Sequence, residues 1–132
     1  MLFRSGVDSS CTYQTGSWVS GRLVSPRIDS LPAGAYLSFW HRRKTTCPDY
    51  SYCYDGRTLI DISTDDGATW TTQQAVYYGS ALWGSFSVFL SSFAGRDIRV
   101  GFRFDSLDAS NTNHLGWMID DVRVATDSGP VR

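Results

Sequence analysis

The aspartates are the residues with the most chemistry to offer. Period-two alternation along GWMIDDVRV, residues 116 to 124, places Asp120 with Met118, Val122 and Val124 on one face. Asp121 falls on the other face with Trp117, Ile119 and Arg123. An ionised carboxylate on an apolar face is costly unless it is paired, hydrogen-bonded or metal-bound, so one of the two needs a partner. An arginine or a backbone N–H would serve, and so would a hard cation. Ca²⁺ takes oxygen ligands from loops and strand ends, which makes Asp55 of YDG with Asp120 or Asp121 the candidate set for one structural Ca²⁺. Glycoside hydrolysis needs two carboxylates flanking one bond, but with 13 acidic residues, all of them Asp, chance pairs are easy. There is no HExxH zinc motif, no GxSxG nucleophile turn and no phosphate-cradling glycine loop. His41 reads as a strand residue at a sheet margin and His114 as a loop residue, rather than as base or ligand.

Three other groups of residues carry possible roles. In STDDGATW the Asp65 carboxylate can accept backbone N–H groups, Gly67 can take the left-handed conformation and Trp70 can pack across the base of a hairpin. That makes Ser63, Asp65, Gly67 and Trp70 parts of a structural turn. Aromatic side chains could form a sugar-stacking platform, drawn from Trp18, Trp40, Trp83, Trp117 and the pair Tyr77-Tyr78. Large aromatics dominate burial, so Trp40, Trp70 and Trp117 are expected in the core. Trp83, between Gly79 and Gly84, and Tyr50, Tyr52 and Tyr54 are expected as exposed contact residues. A carbohydrate-binding domain would show at least two coplanar exposed aromatics on one face. Cys47 and Cys53 close the short segment CPDYSYC, which suits a local disulfide and an oxidising compartment and leaves Cys11 over.

The elements that must position these groups are strands. A chain of 132 residues has room for one domain with one core and none for a multi-bladed propeller. Glu is absent and 11 of the 12 basic residues are Arg, while aromatics are abundant, a composition that favours strands over helices. The net charge of −1 and the brevity of the basic run His41 to Lys44 leave no footprint for nucleic acid. No apolar stretch approaches the roughly 20 residues of a membrane span. The segments GRLVSPRI, AYLSFWHRR, Thr58 to Ser63, Ser85 to Leu90, DIRVGFRFD and GWMIDDVRV alternate as strands, with Pro26 marking an edge and Asp65-Asp66-Gly67 a hairpin. Leu37, Phe39 and His41 share one face of their strand; the opposite face, with Tyr36 and Trp40, is partly apolar and is expected to be covered too. The fold implied is an all-β, antiparallel two-sheet β-sandwich.

Taken in order, SGRLVSPRID, LSFWHRR, YDG, ISTDDGATW, SSFAGRDIRVGFRF and GWMIDDVRV resemble the MAM-like jelly-roll domains of secreted bacterial proteins. Such domains accompany immune inhibitor A type metallopeptidases and cell-surface adhesins. The resemblance implies a concanavalin-like jelly roll over 20–126, with 127–132 as a tail. It also implies a non-catalytic accessory or adhesion module of a larger secreted or cell-surface protein, contacting protein or glycan. The family begins with a further strand or two, so 1–19 is expected to be a truncated segment. The run LFRS matches the translation of the end of a common sequencing adapter, so residues 1–5 are expected to be an assembly artefact. STDDGATW also resembles the Asp box of bacterial sialidases. The alternatives are therefore a carbohydrate-binding module of a glycoside hydrolase, or a fragment of a sialidase-like hydrolase.

Overall fold

Where apolar residues alternate, the chain pairs into antiparallel strands. The computed structural model describes residues 3–4, 20–44, 57–76, 83–105 and 116–131. Within them lie β1 (Phe3–Arg4), β2 (Ser20–Val24), β3 (Tyr36–Lys44), β4 (Arg57–Ser63), β5 (Thr71–Ala75), β6 (Gly84–Phe89), β7 (Arg99–Asp105), β8 (Gly116–Thr126) and β9 (Gly129–Pro130). One sheet has the order β1-β8-β3-β6, with β9 also on β8, and the other β2-β7-β4-β5. Every pairing is antiparallel, and the chain passes repeatedly from one sheet to the other. The two-sheet β-sandwich read from the sequence is the fold observed.

The core lies between the sheets. Leu37 and Phe39 from β3, Val88 and Leu90 from β6 and beyond, and Trp117 and Ile119 from β8 meet Ile60, Ile62, Val100, Phe102 and Phe104 of the opposite sheet. Phe39, Phe102 and Trp117 pack edge to face, with ring centroids 5.2 to 6.3 Å apart, the arrangement that aromatic quadrupoles favour. His41, 4% exposed, joins this cluster. Its Nδ1 accepts a hydrogen bond from Trp117 Nε1 at 3.1 Å, which satisfies the indole N–H in the core.

Four boundaries differ from the alternation pattern. The first segment stops at Val24, before Ser25 and Pro26, and Ile28 makes only an isolated bridge to Ile98. It is an edge strand, as proline requires. Phe3 and Arg4, inside the segment read as truncated or artefactual, pair with Ile119 and Met118. The expected tail also folds back: Gly129 and Pro130 pair with Thr126 and Ala125. Finally, β8 carries a β-bulge. Asp120 lies opposite Trp40 and Arg123 opposite Ser38, so Phe39 faces two residues, Asp121 and Val122. Asp121 takes the extra position with φ 53°, the left-handed conformation that Asp tolerates better than most residues.

The bulge corrects the expected placement of the aspartates. Before it, odd-numbered Trp117 and Ile119 point into the core; after it, even-numbered Val124 packs there. Both carboxylates therefore lie off the apolar face, and the burial cost that seemed to demand a partner does not arise. No helix among the described residues is long and apolar enough to cross a membrane.

Candidate functional site

The two sheets present outer faces of different character. On the four-stranded sheet, alternation sends Arg22, Asp61, Gly101 and Arg103 outward, and they close on one another. Asp61, 2% exposed, accepts hydrogen bonds from Arg22 Nε and Nη2 at 3.1 and 2.9 Å, Arg103 Nε at 2.8 Å and Thr72 Oγ1 at 2.9 Å. Burial alone would raise its pKa; the bonds from Arg103, Arg22 and Thr72 outweigh that and hold it below the ordinary carboxylate value. The Arg22 guanidinium also stacks on Trp70, 4.5 Å from the ring centroid. Gly101 lies beneath this stack: a Cβ there would come within 2.6 Å of Arg22 Cδ and 2.9 Å of Trp70 Cζ3.

The STDDGATW hairpin adjoins this cluster. Asp65 Oδ1 accepts the Thr69 backbone N–H at 2.8 Å and the Ser63 hydroxyl at 2.7 Å, while Oδ2 takes the Thr69 hydroxyl. Ser63 Oγ in turn accepts the Gly67 N–H at 2.8 Å. Gly67 has φ 96°, and Asp66, at φ 61°, pairs with Arg99 at 2.7 Å. The Thr69 hydroxyl and N–H, with Ser63, lower the Asp65 pKa to about 2. Trp70 is half-buried on the outside of the sheet, not in the core as expected. All of this chemistry is turned inward, onto the hairpin and the sheet.

On the outer face of the five-stranded sheet, aromatic rings reach solvent. Period two on β3 brings Tyr36, Ser38, Trp40 and Arg42 to it. The register places Phe89 beside Tyr36, Ser87 beside Ser38 and Ser85 beside Trp40 on one flank. On the other flank Asp120 stands beside Trp40 and Arg123 beside Ser38. Trp40 is 46% exposed and Phe89 75% exposed. The expectation that Trp40 fills the core and that this face is covered is thus overturned: Leu37, Phe39 and His41 take the inward positions of β3, and its tryptophan points out. Trp117 does fill the core.

Polar groups frame these rings. The Asp121 carboxylate accepts Arg123 Nε and Nη2, each at 3.2 Å. Asp120 Oδ1 accepts the Asp121 backbone N–H at 2.8 Å, which lowers its pKa. Trp83, 40% exposed, directly precedes β6. Among the described residues no group of three or more His, Cys, Asp or Glu could hold a metal ion. Asp55, Tyr50, Tyr52, Tyr54, Cys11, Cys47, Cys53, Trp18, Tyr77, Tyr78 and His114 lie outside the described residues. Of Trp83, Tyr50, Tyr52 and Tyr54, the residues expected to contact a ligand, only Trp83 is among the described residues; Trp40 stands among the possible platform residues but is expected in the core, and Tyr36 and Phe89 are not among the expected contacts. Their signal was present in the alternation: Tyr36 and Trp40 share the parity opposite to Leu37 and Phe39.

Comparison with known proteins adds to the fold. No family model and no curated protein matches the chain. Solved structures similar to it include a carbohydrate-binding module, TmCBM61, determined in complex with β-1,4-galactotriose. That similarity has a TM-score of 0.52 at 14% identity, covering 96% of this chain and 82% of that one. At this identity the two share a β-sandwich fold.

Proposed function

We propose that this domain is a non-catalytic glycan-binding module, and that the outer face of the five-stranded sheet is its binding platform. The observation that carries the reading is the exposure of Trp40 and Phe89 on one outer sheet face, with Tyr36 beside Phe89. A pyranose ring has an apolar C–H face and a rim of hydroxyls. Stacking the first on an aromatic ring removes apolar surface from water and sets C–H groups against the negative π face. The rim then meets serine hydroxyls, the Asp120 carboxylate and the Arg123 guanidinium, groups that fix orientation through hydrogen bonds. The fold shared with a module solved with a bound oligosaccharide supports the reading. The MAM-like motifs add the context of an accessory domain in a larger secreted or cell-surface protein.

The test is a glycan array probed with the wild type and Trp40→Ala. The wild type should bind and the variant should lose roughly tenfold or more in affinity. Because Trp40 is about half exposed, the variant should still unfold cooperatively, with an unfolding free energy lower by roughly 1 to 2 kcal/mol. A silent array, or binding indifferent to Trp40→Ala, would remove the proposal.

A further inference from the structure

We infer that the ligand is a linear polysaccharide lying along β3 and bridging two aromatic anchors, not a single sugar held on one ring. The inference rests on the glycan-binding reading and specifies the ligand of that same face. Tyr36 and Trp40 are four residues apart on one strand and on the same side of it. At about 3.3 Å per residue their Cα atoms are separated by ~13 Å. Phe89 is the register partner of Tyr36, so the two rings together form one anchor and Trp40 forms the other. One pyranose ring covers one anchor and cannot reach the second.

The ground between the anchors suits a sugar chain. Ser38 and Ser87 are register partners halfway along, and Ser85 stands opposite Trp40. Three small side chains lower the floor between the aromatic ends, and each hydroxyl both donates and accepts. A protein partner meeting this face would bring apolar side chains, which gain nothing from a row of hydroxyls. A chain of sugars presents alternating C–H faces and hydroxyls, and so matches ring, serine, ring. Arg123 lies beside the serine floor and Asp120 beside the Trp40 anchor, so the β8 flank supplies a donor and an acceptor along the same line.

The experiment measures affinity against chain length. Affinity electrophoresis in soluble galactan, xylan, mannan, mixed-linkage glucan and polygalacturonate identifies a retarding polymer. Its oligosaccharides, from mono- to hexasaccharide, are then titrated into the wild type, Trp40→Ala and Phe89→Ala. Affinity should rise by roughly tenfold, about 1.4 kcal/mol, once the oligosaccharide reaches both anchors, and then level off. Phe89→Ala and Trp40→Ala should each remove that increment, so that affinity no longer rises once the oligosaccharide is long enough to span both anchors. Full affinity in a mono- or disaccharide, with Phe89→Ala silent and Trp40→Ala damaging, would overturn the two-anchor chain while leaving glycan binding at Trp40 intact. No retardation by any polymer, or retardation indifferent to both substitutions, would overturn both. Circular dichroism melts of the two variants distinguish loss of the anchor from loss of the fold.

Discussion

Asp61 shows how one side chain can organise a sheet face. It is 2% exposed and carries four hydrogen bonds, three of them from arginines whose side chains are 28% and 26% exposed. Asp61→Ala would strand two guanidiniums and undo the platform that holds Arg22 over Trp70. Breaking a buried pair costs about 3 to 5 kcal/mol, and the partial exposure of the arginines brings the expected loss to about 3 kcal/mol, measured as a shift in the urea midpoint. Asp65 has a different signature. Its folded pKa of about 2 lies below the ordinary carboxylate value of 3.8. Its contribution is therefore fully present above the unfolded pKa and is lost as pH falls from about 3.8 through about 2. An acid titration of the melting temperature should be steep in that window and shallower for Asp65→Asn; identical curves would show that the turn does not depend on this charge. These roles were unequally legible in sequence. The Asp65 turn was readable because Ser63, Asp65, Gly67 and Trp70 act within one short hairpin. The Asp61 cluster forms through hydrogen bonds between residues as many as 42 positions apart, drawn from four strands, and is not legible in any one of them, although Asp61 and Arg103 fall on the polar parity of their strands.

At the scale of the element, β8 is the instructive strand. Its alternation reads continuously from Trp117 to Val124, yet the strand changes parity at Asp121. A bulge adds one residue without altering composition, so a strict two-residue pattern cannot reveal it, and the faces assigned to Asp120 and Asp121 were consequently wrong. The left-handed φ of Asp121 is the local trace that a bulge leaves. Because Asp121 is the extra residue, deleting it should keep Ile119 and Val124 facing the core. That variant should fold, at a cost on the order of 1 to 2 kcal/mol. Deleting Met118 instead would turn either Trp117 or Ile119 to solvent and should abolish cooperative unfolding. If both deletions behaved alike in thermal melts, the bulge would not be what sets the register. The strongest alternation, in β7, holds in the structure, with Val100, Phe102 and Phe104 all facing one continuous core, although the strand begins at Arg99 and not at Asp97. In β3 the pattern was right and its consequence wrong: both faces are partly apolar, and only the structure shows that nothing among the described residues covers Trp40.

The whole molecule divides its labour between its two sheets. One carries the Asp61 and Asp66 ion pairs, spent on the sheet and the hairpin; the other, beside the Arg123–Asp121 pair, offers aromatic rings and hydroxyls to solvent. Sequence reasoning recovered the sandwich but not this asymmetry, which depends on strand order and not on any single strand. The same strand order has a mechanical consequence. The antiparallel register runs β1 so that its upstream end lies toward Asp120, and the chain leaving β9 bonds back through Val131 N–H to the Val124 carbonyl at 2.8 Å. Both ends of the described chain thus attach to one edge of one strand, each through two register pairs. Tension drawn between them would act along that edge and peel the short pairings one after another, instead of shearing the sandwich. The β3–β6 pairing that carries Trp40 and Phe89 lies on the far side of β8 from the line of pull, so a glycan held there would stay gripped while the ends give way.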